Sequence, residues 1–232
     1  EAMEVGPTAH YTMGGIRVDP ETQESRIKGL FAAGECAAGM HGANRLGGNS
    51  LSDLLVFGRI AGLHAARYAK ASEVLSLDGG EIDQAVHEAL APFDQAEGTN
   101  PFLLHEDLKD KMQVLVGIIR TEADLKQGLA EIERIGEATA RTKVDGNRHF
   151  NSSWHQALDM RNMLIVSEAM ARAALTRKES RGGHAREDFP EMDKGHFAKV
   201  NVTLRRTASG MHVEEVALRD PPAEIKEILE ES

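Results

Sequence analysis

One cysteine, Cys36, is all that 232 residues contain. That excludes an internal disulfide framework, and with it a cysteine-built zinc site or iron–sulfur cluster. It suits a reducing compartment, and Cys36, set among small residues after Glu35, reads as a small core residue. Long apolar runs are also missing: no stretch approaches the roughly 20 residues that span a bilayer. Positive charge is scarce, with 27 Lys and Arg against 37 Asp and Glu and a net charge of −10. This argues against nucleic acid and anionic membrane surfaces as main partners. No G-x-G-x-x-G occurs anywhere, so the usual phosphate-cradling turn of a dinucleotide fold is not in this stretch of chain. What remains is an ordinary globular composition, 41% hydrophobic and 28% charged, sufficient for one large domain or two small ones.

Along the chain, residues 7–18 read as a turn, a short extended segment, a Gly-Gly turn and a strand. Residues 19–26 are polar and turn-like, and 27–33 (IKGLFAA) read as a buried strand ended by Gly34-Glu35. Asn49 and Ser50 offer N-cap chemistry to a helix running to about Tyr68. Its Leu51, Leu54, Leu55, Gly58, Ala61, Gly62 and Ala65 recur at helical period and predict tight packing on a sheet. Residues 70–80 form a linker. From there to 178 the pattern is helical. One helix over 81–91 is stopped by Pro92, and a second starts near His105. A third begins at a near capping box, Thr121 to Asp124, and carries Leu125, Leu129, Ile132 and Ile135. A last long helix, capped by Ser153, runs to about Lys178. Short loops imply antiparallel bundle packing, with the methionines as core filling. A basic, glycine-bearing loop follows over 179–190, in which Arg181, His184 and Arg186 read as salt-bridge residues. Alternating stretches over 199–204 and 211–218 form a hairpin around Ser209-Gly210, and 221–232 form an acidic tail helix.

The densest chemistry lies in residues 41–57, HGANRLGGNSLSDLLVF. Gly42, Ala43, Gly47 and Gly48 leave the backbone bare, so a planar ligand can approach closely. Arg45 sits within that loop. The first N–H groups of the following helix point back at the loop with the positive end of the dipole behind them. An anion or an electron-rich ring edge is the matching guest.

Three motifs, HYTMGG (10–15), GLFAAGE (29–35) and HGANRLGGNSL (41–51), occur in this order within about fifty residues. Together they resemble the flavoprotein subunit of succinate dehydrogenase and fumarate reductase, and the loop ESRGGHAR (179–186) fits the same family. The resemblance covers essentially the whole chain, and implies that the chain corresponds to the C-terminal part of such a subunit. The implied architecture is an α/β segment of a flavin-binding domain over 1–75, an all-α helical bundle over 80–180, and a connecting loop, β-hairpin and tail helix over 181–232.

The resemblance implies FAD as cofactor, with Glu35, Ser50 and Leu51 as its contacts, Leu51 through its backbone N–H. It implies a dicarboxylate substrate bound by Arg45 and His10. Arginine's planar fork suits a carboxylate, and His10 can donate to the same group. No catalytic acid or metal ligand is assigned, and His41 is left without a role. The implied reaction interconverts succinate and fumarate. The implied partners are an iron–sulfur subunit, through which electrons pass, and membrane anchor subunits beyond it. The protein is then peripheral on the cytoplasmic face of the cell membrane. The isolated chain is expected to hold no FAD, because most flavin contacts belong to the N-terminal fold. Two alternatives stand beside this reading. One is an L-aspartate oxidase-like flavoenzyme, against which Gly47-Gly48 speaks. The other is a module that only docks partner subunits.

Overall fold

The structure is a computed structural model and describes residues 3, 6, 10–73 and 76–230. Residues 7–9 of the expected first segment, 74–75 of the expected linker and the last two of the tail lie outside it. The contacts group the chain into two compact units. One comprises Glu1–Gln95 with Arg181–His184; the other comprises Ala96–Ser180 with Ala185–Ser232.

In the first unit, Ile16–Arg17 (β1) pairs in parallel with Ala37–Ala38 (β2). The long helix α1 spans Asn49–Ala71 and α2 spans Gly79–Asp94. The structure departs from expectation in several places. Residues 27–33 are not a buried strand. Leu30 N–H donates to the Ile27 carbonyl and Ser25 N–H to that of Leu30, so the chain reverses there. Gly29, at φ +80°, supplies the left-handed residue this turn requires, and Ile27 stays exposed. Cys36 is exposed rather than core, carried on the short 3₁₀ turn Gly34–Cys36. Helix α1 buries only Asp53, while Leu51, Leu54, Leu55 and Val56 face solvent. The sheet it was expected to pack on is, among the described residues, a ladder two residues long. Pro92 does not stop α2, which continues to Asp94.

In the second unit α3 (Pro101–Leu115), α4 (Glu122–Thr139) and α5 (Ser152–Thr176) enclose the core. Each start has a physical cause. Asn100 accepts from Phe102 N–H, with Pro101 at the first helical position, so α3 begins four residues before the expected His105. Thr121 accepts from Asp124 N–H as the capping pattern requires. For α5 the cap is Asn151, accepting from Trp154 N–H; Ser153, expected in that role, instead donates to the Asn151 side chain. Leu104, Leu108, Leu125, Ile132, Ile135 and Met160 are buried together, and Met112 and Met163 pack against them. The bundle methionines Met112, Met160 and Met163 fill the core, as their spacing predicts. Val200–Thr207 (β5) and Gly210–Ala217 (β6) form the expected antiparallel hairpin, and Ala223–Glu230 (α6) the tail helix.

The basic loop after α5 is a structural hub. Arg186 is almost fully buried. Its Nη1 donates to the carbonyls of Ala174 at 2.8 Å, Leu175 at 3.4 Å and Arg177 at 3.2 Å, which are acceptors left over at the end of α5. Its Nε and Nη2 make a two-point contact with Asp188 at 2.7 and 2.8 Å. Asp188 also accepts from Glu122 N–H at the start of α4. Residues Ile119–Arg120 (β3) and Ala185–Arg186 (β4) pair in parallel beside it. Arg186 therefore ties the end of α5 to the beginning of α4.

A pH dependence follows. The Arg186 guanidinium, with the Glu122 N–H, holds the Asp188 carboxyl down to about 2, below its ordinary 3.8. A carboxyl depressed in the folded state stabilises fully above its unfolded pKa and ceases to do so as pH falls through the folded one. Asp188 thus adds stability above about pH 4 and loses it progressively towards pH 2. Asp188→Asn should flatten the acid limb of urea midpoints measured between pH 5 and pH 2. A slope equal to that of the unsubstituted chain would count against the assignment.

Candidate functional site

All five residues singled out by sequence lie in the first unit. Arg45 follows Asn44, whose side-chain oxygen accepts from the Arg45 N–H at 2.9 Å and fixes the loop backbone. The guanidinium lies over the Tyr11 ring, with Cζ 4.6 Å from its centroid. That cation–π contact holds a cation without neutralising it. Nη1 donates to the Leu46 carbonyl at 3.1 Å, whereas Nε is buried and finds no partner among the described residues. A buried guanidinium N–H left bare is costly unless an acceptor arrives. The arginine is braced by an aromatic face and keeps donor capacity for an anion.

Behind it lies a pair the sequence did not assign. His41 Nε2 is 3.1 Å from Asp53 Oδ2, and the two side chains are only 8% and 4% exposed. Tyr11 Oη stands 3.3 Å from the same nitrogen, and the Tyr11 and His41 rings meet edge-on at 5.4 Å. Asp53 is the one buried residue of α1. A carboxylate as acceptor puts the proton on Nε2, and Nδ1 finds no partner among the described residues. The available signal was Asp53 itself, a charged residue inside the apolar run LSDLLVF.

The remaining candidates are more dispersed. Glu35 is exposed, and its Oε1 accepts from Thr12 N–H at 2.9 Å, which joins the GLFAAGE and HYTMGG segments. His10 is exposed and directly precedes Tyr11. Ser50 and Leu51 stand in the first turn of α1, with Leu51 exposed. Neither Asn49 nor Ser50 caps that helix. Gly48 occupies the cap position in the left-handed conformation and no side chain accepts from the first turn. The expected cap fails because Asn49 is already helical. The donors at the start of α1 are consequently not taken by a cap, and a Cβ built at Gly42, Gly47 or Gly48 would meet nothing within 4 Å. An uncapped helix start under a bare loop fits the edge of a flavin ring.

The loop is braced from far along the chain. Gly183 N–H donates to the Ala43 carbonyl at 2.9 Å. Gly182, at φ +58°, lies so close that a Cβ there would stand 2.3 Å from the same oxygen, which only glycine tolerates. Arg181 and His184 close this segment by exchanging backbone hydrogen bonds.

Residues 105–228 match the family described as fumarate reductase flavoprotein C-term. The chain belongs to this family. Residues 1–51 match an FAD binding domain. The chain is 39% identical over 217 residues to the succinate dehydrogenase flavoprotein subunit of Coxiella burnetii, covering 88% of this chain and 37% of that protein. It is 36% identical over 214 residues to the fumarate reductase flavoprotein subunit of Escherichia coli, covering 88% of this chain and 35% of that protein. Among solved structures, the Mycobacterium smegmatis Sdh1 complex in the apo form superposes with a TM-score of 0.86 at 50% identity, over 94% of this chain and 37% of that one. The chain thus spans about a third of the length of the relatives it matches. The expected fold class, an α/β segment followed by a helical bundle and a hairpin, is that of this flavoprotein family. Among the described residues no helix is long and apolar enough to cross a membrane.

Proposed function

We propose that this chain forms one wall of the active site of an FAD-dependent flavoprotein subunit that interconverts succinate and fumarate. The observation carrying this reading is the half-buried Arg45, stacked on Tyr11 with a bare, buried Nε, inside a loop that opens onto an uncapped helix start. In this reading Arg45 fixes one substrate carboxylate through its planar fork, and His10 donates to the same group. Ser50 and Leu51, at the start of α1, face the flavin's polar edge, where the helix dipole favours negative charge. Glu35 accepts from its hydroxyl-bearing chain. Bound FAD supplies the two-electron redox chemistry. This chain's residues bind and orient the dicarboxylate and favour the reduced, anionic cofactor. The division at 1–75, 80–180 and 181–232 is retained as the functional one, although α2 clusters with the first unit.

Membership of the family supports electron exchange with an iron–sulfur subunit. It also supports peripheral attachment to the cytoplasmic face of the membrane through anchor subunits. The test is made on the full-length subunit in its complex. Succinate oxidation with an artificial acceptor and fumarate reduction with a reduced dye are both expected, with malonate competing in each. Turnover of L-aspartate without turnover of either dicarboxylate would overturn the assignment.

A further inference from the structure

The dicarboxylate site as proposed uses neither His41 nor Asp53, yet the two side chains are only 8% and 4% exposed. We propose that the His41–Asp53 pair is a positioning device for substrate binding: it holds Tyr11, and through the Tyr11 ring it holds the Arg45 guanidinium where a dicarboxylate is bound. The chain of contacts is continuous. Asp53 Oδ2 meets His41 Nε2 at 3.1 Å, the same nitrogen meets Tyr11 Oη at 3.3 Å, and the Tyr11 ring lies 4.6 Å beneath Arg45. Asp53 is anchored on the second turn of a 23-residue helix, a regular element beside a loop of glycines. His41 opens the loop that carries Arg45, so the pair also sets the position of the loop's start. A guanidinium presented to a ligand by a loop gains affinity when its position is fixed beforehand.

This inference rests on the dicarboxylate reading. It predicts that His41 substitution acts on ligand affinity more than on turnover at saturation. The partner atom is Nε2, so the mimic is glutamine, whose amide reaches as far and still donates. Leucine fills the space and donates nothing. The full-length holoenzyme is used, with malonate affinity read from the flavin absorbance change and KM and kcat measured for succinate.

His41→Leu should weaken malonate binding at least tenfold and raise KM similarly, with kcat falling no more than about threefold. His41→Gln should restore affinity to within about threefold. Tyr11→Phe keeps the ring and removes only the hydroxyl that joins it to the pair. It should weaken malonate about three- to tenfold, and it decides the matter if His41→Leu does not fold. Unchanged malonate affinity in the folded His41→Leu protein, or in Tyr11→Phe, overturns the inference and leaves the functional reading intact. A fall in kcat with unchanged KM overturns it as well. If the unsubstituted holoenzyme binds no dicarboxylate, both fall together.

Discussion

Arg45→Ala in the full-length subunit should lower kcat/KM for succinate or fumarate by roughly a hundred-fold to several thousand-fold. The magnitude follows from the loss of a desolvated, charge-assisted two-point contact, on the order of 3–5 kcal/mol by analogy with other buried ion pairs. The geometry makes the effect specific. Arg45 touches the Tyr11 ring and the Leu46 carbonyl, and neither contact holds a helix or a strand in place. Flavin content should therefore stay near that of the unsubstituted protein, since the proposed flavin contacts are Glu35, Ser50 and Leu51. Arg45→Lys should recover little, because a point charge cannot reproduce the fork or stack on the ring as a guanidinium does. The expected pattern is activity lost, flavin retained and malonate no longer bound. If Arg45→Ala sheds flavin while the remaining enzyme binds malonate normally, the arginine serves the fold and not the substrate.

The second large effect is on stability. Arg186→Ala should destabilise the second unit by about 3–5 kcal/mol. The change removes a buried cation, leaves the final carbonyls of α5 without their donor, takes from Asp188 its two-point partner and opens a cavity against Phe189, over whose ring the guanidinium lies at 5.0 Å. Each loss falls on the junction between α5 and α4, so they act together rather than singly. Arg186→Met, which fills much of the space, should recover only the cavity part. Thermal and urea unfolding followed by helix circular dichroism will measure this. A midpoint within about 1 kcal/mol of the unsubstituted chain would mean that the carbonyls are satisfied in some other way.

Much of this was legible in the sequence, for identifiable reasons. Arg45 stands out because glycines surround it, and a core has no use for bare backbone beside a cation. The bundle is legible because Leu125, Ile132 and Ile135 recur at helical spacing behind Thr121, which caps as its type requires. What escaped were partnerships between distant residues. His41 could not be paired because nothing local says that a histidine opening a loop will meet an aspartate on the following helix. Arg186 read as one more loop cation because its acceptors are carbonyls, which exist as unmet acceptors only once α5 ends where it does. Residues 27–33 misled for the opposite reason. Their composition is strand-like, but Gly29 turns the chain within the run. Leu51, Leu54 and Leu55 have the spacing of a buried face and stand exposed, so periodicity identified the helix without identifying its surroundings.

The contact of Gly182 and Gly183 with Ala43 also bears on the order of events at the ribosome. The segment that packs against the arginine loop emerges about 140 residues after it. At ordinary synthesis rates of about 5–20 residues per second, that is a delay of roughly 7–30 seconds. During it α3, α4 and α5 leave the ribosome and can fold, while the loop still lacks its brace. The arginine loop therefore gains its brace only after the helices that precede that segment have emerged, and Arg45 reaches its final setting later than they can fold.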